Sequence, residues 1–277
     1  MKKKTRNILR LLLLVVLCFS LVMLGRQLID NSSGSSSYDQ ALALATSGKK
    51  NDSAESEAST QPAEEAQEKP EWVPEPVEDD PYMEQLAQMD LSALREVNPD
   101  VLGWILIPDS NVNYPIVQGE DNDFYLKHTW DGKENSVGSI FLEHRNTPDF
   151  TDYNTIVYGH NMNDGSMFAN LKRYNTNWYW ERHPYVYILN DDGVFRYDVF
   201  SGYETSTEGT AYGLSFNQAQ TRATFLETAL KKSTAYFEIR PAMTDRILTL
   251  STCSGAGYSN RWVVHARLKM IPADSVG

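Results

Sequence analysis

Apolar residues in the second half of the chain come in short runs rather than long stripes. VLGWILI (101–107), NYPIVQ (113–118), GSIFLE (138–143), NTIVYGH (154–160), YVYILN (185–190) and VFRYDVF (194–200) are rich in Val, Ile, Tyr and Phe, with Gly, Asn, Asp or Pro between them. Such runs, bounded by turn residues at this spacing, predict an all-β barrel or sandwich. The stretch RILTLSTCSGAGYSNRWVVHARLKMI (246–271) predicts two further strands around a Gly/Ser turn, with Cys253 closing the first and Arg261 opening the second. Paired as a hairpin, those two residues face each other with Cβ atoms ~4.5–5.5 Å apart. Three stretches depart from the strand pattern. At 82–98, Leu86, Leu91, Leu94 and Val97 form an approximate helical stripe ended by Pro99, and at 217–232 Phe225, Leu226 and Leu230 mark a second apolar helix face. Residues 167–174 suggest a third, short helix.

The first 81 residues carry a different pattern. Lys2, Lys3, Lys4, Arg6 and Arg10 precede an apolar run at 11–25, which Arg26 closes. That run is shorter than the ~20 residues of a spanning helix, but Ile8, Leu9, Leu28 and Ile29 lengthen it if Arg10 and Arg26 reach out to the interfaces. A cleaved signal peptide would share these features, but no A-x-A-like site follows, so residues 1–30 are expected to be an uncleaved anchor with the basic flank cytoplasmic and the remainder outside the cell. Residues 31–81 turn to Ser, Ala, Glu, Gln and Pro, and are expected to be a disordered acidic stalk; residues 82–277 are then the folded domain.

Charge changes this picture little. Much of the formal charge of −12 lies in the stalk, and an acidic chain without a basic stripe argues against nucleic acid. The cysteines matter more. There are two, Cys18 in the apolar run and Cys253 in the folded domain, so neither can pair with the other and Cys253 is an unpaired thiol in an exported domain. A buried, inert cysteine is the bland alternative. Of the five histidines, His160 ends a predicted strand and opens a polar loop, the placement of a residue aimed into a cleft; His265 lies within the last strand and reads as packing. Nucleophilic cysteine chemistry needs a thiol, a proton carrier titrating near neutrality and a group that neutralises an oxyanion. Cys253, His160 and Arg261 supply them. Asn161 and Asp164 are candidates to orient the imidazole. One cysteine and scattered histidines lack the spacing of a zinc site, and the chemistry calls for no metal or organic cofactor.

Five ordered blocks, NPDVLGWILIP (98–108), YPIVQGEDNDFYL (114–126), GSIFLEHRN (138–146), NTIVYGHNMNDGSMFANL (154–171) and TLSTC (249–253), resemble the sortases, the cysteine transpeptidases of Gram-positive cell surfaces, and among them class B. The resemblance runs from about residue 90 to the C-terminus. It implies an eight-stranded sortase-type β-barrel with N-terminal helices and a helix before the penultimate strand. By position, Cys253 resembles the nucleophile, His160 the acid/base and Arg261 the oxyanion or substrate-orienting residue, while Asn122, Leu126, Ser251, Thr207 and Tyr212 match the substrate groove. The implied partners are exported proteins bearing a C-terminal sorting motif, and a peptidoglycan precursor or cross-bridge amine, or a pilin lysine, as acceptor. The chain departs from some class B members in one respect: Ser254, Gly255, Ala256 and Gly257 follow the cysteine, with no carboxylate. Two rival readings remain, a hydrolytic cysteine endopeptidase using the same trio and a non-catalytic β-domain that binds wall components.

Overall fold

The computed structural model describes residues 3–47, 72–75, 80–253 and 259–272. In chain order it contains α1 (Lys3–Ser47), β1 (Trp72–Pro74), α2 (Pro81–Ala87), α3 (Ser92–Val97), β2 (Val101–Leu106), β3 (Asn113–Val117), β4 (Ile140–Leu142), β5 (Asn154–Tyr158), α4 (Asn177–Arg182), β6 (Tyr185–Asn190), β7 (Gly193–Ser206), α5 (Ala219–Lys232), β8 (Arg246–Cys253), β9 (Asn260–Leu268) and β10 (Met270–Pro272). The eight strands expected from the apolar runs are β2 to β9. They close into a barrel in the order β2-β3-β4-β5-β8-β9-β7-β6, with β6 pairing back onto β2. Neighbours are antiparallel except at β3–β4 and β5–β8. Closure leaves no unpaired edge in the barrel. Trp104, Ile105, Ile116, Ile140, Leu248, Leu250 and Val264 belong to its buried core.

α5, before the penultimate barrel strand, buries Phe225, Leu226 and Ala229 in a separate cluster with Phe200, Tyr203 and Val263, and Leu230 packs on it partly buried. The expected single helix at 82–98 is instead two. Asp80 caps α2, its Oδ1 accepting from the backbone N–H of Tyr82 at 3.1 Å, with Pro81 opening the helix. The Asp90 carboxylate then accepts from the N–H of Ser92 at 2.8 Å and starts α3 afresh. The short helix expected at 167–174 is a 3-10 turn at Ala169–Asn175.

The expectation of a disordered stalk from residue 31 is not met at 31–47. These residues continue α1, and its final turns pack against the barrel domain. The Ser- and Ala-rich composition conceals a stripe, Tyr38, Ala41 and Ala45, at one-turn and two-turn spacing; all three are buried in the main core. Small residues let the helix approach closely: a Cβ on Gly34 would stand 2.9 Å from a methyl of Val137. Trp130 Nε1 donates to Ser37 O at 2.9 Å, Asn135 Nδ2 to Asp30 O at 3.0 Å, and the Tyr38 hydroxyl to Gly138 O at 2.5 Å. Residues 72–74 also leave the expected disorder, pairing as β1 with β10. The rest of the expected stalk, 48–71 and 76–79, lies outside the described residues.

Candidate active site

Three adjacent strands bring the sequence-predicted trio to one rim of the barrel. β5 and β8 run parallel with Tyr158 opposite Ser251, and the Gly159 N–H donates to Ser251 O at 3.1 Å. His160 lies two residues beyond Tyr158, and Cys253 two residues beyond Ser251. On the other side of β8, antiparallel pairing sets Cys253 opposite Arg261. Neighbouring strands sit ~4.7–4.9 Å apart, so the three backbones emerge side by side. The Cys253 side chain and the loop 254–258 lie outside the described residues. His160 and Arg261 both line a cavity of about 280 Å³, together with Asn122, Leu126, Thr207, Tyr212 and Ser251. Every residue the sequence suggested for the groove is on its wall.

The His160 ring meets the 3-10 turn Phe124–Leu126: Nε2 lies 2.8 Å from Leu126 O. A carbonyl oxygen can only accept, so Nε2 carries the hydrogen, and Nδ1 is the nitrogen left to gain or lose a proton. The group that meets Nε2 is thus a main-chain carbonyl, not the side chain of Asn161 or Asp164. Asp164 is engaged in its own turn, accepting from the Ser166 N–H at 3.0 Å and its hydroxyl at 2.6 Å. Gly138 lies against the same edge of the ring. It has φ +62°, and a Cβ there would be 2.7 Å from His160 Cδ2 and 2.8 Å from Leu126 O.

The floor holds a carboxylate the motif reading passed over. Glu143 is 1% exposed and accepts from Arg145 Nε at 2.7 Å, Asn122 Nδ2 at 2.8 Å and the Tyr158 hydroxyl at 2.9 Å. Burial pushes its pKa up, but the hydrogen bonds from Arg145, Asn122 and Tyr158 outweigh that and hold it below the usual carboxylate range. Burial, then the neighbouring Glu143 charge, pushes the Tyr158 hydroxyl well above its ordinary value, so it stays a donor. Glu143, Arg145, Tyr158, Phe141 and Thr252 line the cavity and were not singled out beforehand. One signal was available: the apolar run GSIFLE ends on a carboxylate, with an arginine two residues on.

Tyr212 reaches the groove from the 3-10 turn Thr210–Tyr212, its hydroxyl 2.8 Å from Ser251 Oγ. A buried chain of hydrogen bonds pins that turn. Asn154 Nδ2 donates to Ala211 O and Gly213 O at 3.1 and 2.9 Å, and its Oδ1 accepts from Thr249 Oγ1 at 2.6 Å. Having spent its hydrogen, Thr249 Oγ1 accepts from His265 Nδ1 at 2.9 Å, leaving His265 Nε2 to accept from the Tyr203 hydroxyl at 3.1 Å. His265 is fully buried and neutral in this arrangement; desolvation lowers its pKa to about 3. It is a packing residue, as expected from its place within a strand.

A closed eight-stranded barrel with this rim defines a class of protein. The family model for the sortase domain matches residues 105–269, more than half of the chain, which belongs to the sortase family. Its relatives narrow this to class B. The chain is 37% identical over 164 residues to the sortase B of Listeria monocytogenes, covering 59% of this chain and 67% of that protein. It is 35% identical over 179 residues to the sortase B of Staphylococcus aureus, covering 64% and 73%. The structure of a Staphylococcus aureus sortase B–substrate complex superposes with a TM-score of 0.61 at 32% identity, covering 66% of this chain and 85% of that one. The chain is a sortase B-type cysteine transpeptidase.

Proposed function

We propose that Cys253, His160 and Arg261 carry out a two-step acyl transfer on exported proteins bearing a C-terminal sorting motif. The observation that carries this is the register: β5, β8 and β9 deliver the three residues to one rim, beside a groove that holds the imidazole and the guanidinium. In the first step the Cys253 thiolate attacks the carbonyl carbon of a Thr in the motif. The C–N bond breaks, and the imidazolium gives its Nδ1 proton to the departing amine, leaving a thioester. In the second, an amine of the peptidoglycan precursor or cross-bridge, or a pilin lysine, attacks the thioester carbon, His160 takes its proton and the thiolate departs. Arg261 stabilises the negative oxygen of both tetrahedral states; one such donor is typically worth ~10²–10³ in rate. Asn122, Leu126, Ser251, Thr207 and Tyr212 bind the motif. Leu126 O holds His160 Nε2–H throughout, so one tautomer serves both proton transfers.

The apolar part of α1 anchors this enzyme in the membrane, N-terminus cytoplasmic and barrel outside. Leu11 to Leu17, Phe19 and Leu21 to Leu24 are each more than half exposed, and by length and composition the helix can cross a bilayer. The mechanism is tested by incubating the protein with a sorting-motif peptide, with and without an amine acceptor. The expected products are a thioester mapped to Cys253 and a transpeptidation product only with amine; Cys253→Ala, folded but still turning over, refutes it.

A further inference from the structure

α1 runs without a break from Lys3 to Ser47, and the residue that follows its exposed apolar stretch is hydrogen-bonded to the barrel domain. Leu28 and Ile29 are exposed; Asp30 Oδ2 accepts from Ser136 Oγ at 2.8 Å, and Asp30 O accepts from Asn135 Nδ2 at 3.0 Å. Asn135 is joined to Lys127, its N–H donating to Lys127 O at 2.8 Å. No spacer therefore separates the apolar helix from the loop 127–137.

Helix geometry sets the height of that loop. Whether the hydrocarbon edge falls at Arg26 or at Ile29, Asp30 stands no more than about 6 Å above it, at a rise of ~1.5 Å per residue. The headgroup layer on one side of a bilayer is itself ~5–7 Å deep. We infer that the catalytic barrel is held directly against the bilayer, with the loop 127–137 lying in the lipid headgroup layer. This rests on the reading of α1 as a membrane anchor. Gly138 is two residues beyond Ser136 and against the His160 ring, so the candidate groove sits on the order of 10–15 Å from Asp30. A sorting motif and an acceptor amine would then be joined at the membrane surface.

The composition of the loop suits an interface without depending on lipid charge. Phe124, 44% exposed and stacked on His128, adjoins it. Lys127, Lys133 and Glu134 are exposed, and Lys133 pairs with Asp131 at 2.6 Å. The signs are mixed, so the tether rather than net attraction fixes the contact, and zwitterionic and anionic bilayers should behave alike.

The test uses the full chain, carrying Cys18→Ser and Cys253→Ala, with one nitroxide-labelled cysteine at a time, in phosphatidylcholine vesicles with and without phosphatidylglycerol. Val22→Cys reports the apolar run. Glu134→Cys and Lys127→Cys report the loop. Asp192→Cys, in the β6–β7 turn at the barrel end away from the Ser206–Asn260 pair, reports bulk solvent. The expected result is a Val22 label in the hydrocarbon, and labels at 134 and 127 that lose collisions with a water-soluble relaxant relative to 192, in both lipids. A deep Val22 label with 134 and 127 as accessible as 192 overturns the inference and leaves the anchor standing. A Val22 label as accessible as 192 removes the anchor, and the inference with it.

Discussion

Gly138→Ala separates two costs that meet at one atom. At φ +62° an alanine is strained by ~1–2 kcal/mol, partly offset by a ~0.4–1 kcal/mol gain from a stiffer unfolded chain. The steric cost is local to the reaction: the new Cβ would stand 2.7 Å from His160 Cδ2 and 2.8 Å from Leu126 O, so the ring, the carbonyl or both must retreat. A displacement of ~1 Å in an acid/base group can cost ~10²-fold in rate. The expected outcome is a melting temperature lower by a few degrees, at ~2–4 °C per kcal/mol for a domain of this size. kcat/KM on a sorting peptide should fall by about two orders of magnitude at a temperature where both proteins are fully folded. Gly138→Asn tells the costs apart, because Asn tolerates positive φ but carries the same Cβ. It should recover much of the stability and little of the activity. A folded Gly138→Ala enzyme with unchanged kcat/KM would refute the argument that this glycine sets the position of the imidazole.

Other consequences follow from the buried polar groups and from α1. His265 stays neutral in the fold down to about pH 3, whereas in the unfolded chain it takes up a proton near 6.5; stability should therefore fall as pH drops through that window, by up to ~1.4 kcal/mol per pH unit from this residue. Urea midpoints across that range should have a shallower pH slope in His265→Gln, and an identical slope would exclude His265 as the source. Glu143→Gln puts an amide where Arg145, Asn122 and Tyr158 donate, and should cost roughly 1.5–3 kcal/mol in denaturant unfolding and raise KM more than it lowers kcat. A fall in kcat alone would point to a direct chemical role. A chain starting at Asp80 loses the buried Tyr38, Ala41 and Ala45, and should melt below one starting at Asp30, since a large apolar side chain contributes ~1.5–3 kcal/mol when buried; equal melting temperatures would mean that the packing of α1 is energetically idle.

What could be read from the residues alone, and what could not, divides along a physical line. The barrel was legible because each strand carries its own signal, a short β-branched or aromatic run with turn residues at both ends, and β2 to β9 fall on those runs. That Cys253, His160 and Arg261 would share one rim was legible because His160 ends one strand, Cys253 ends another and Arg261 opens the next, and Ser251 and Asn122 came with the motifs around them. Glu143 was not, because a buried carboxylate declares itself only through its partners, and Asn122, Arg145 and Tyr158 reach it from three different segments. The group that meets His160 Nε2 was missed for a similar reason: it is a main-chain oxygen, which no residue type can advertise.

The misreading of 31–47 has another cause, and it bears on how the enzyme is built. Composition judges whether a segment can bury a core of its own, and this one cannot; it can still complete someone else's. Tyr38, Ala41 and Ala45 need only one side of a helix; Trp130, Asn135 and Gly138 bond it at Ser37, Asp30 and Tyr38, and the Asp90 N–H bonds Ala45 O at its far end. The stretch 130–138 is continuous with the groove. Residues 126–139 hold His160 through Leu126 O, set Gly138 against the same edge of its ring and receive α1 through Asn135, Ser136 and Gly138 O. A single loop thus meets both the His160 ring and the helix that carries the apolar run, with no linker between them.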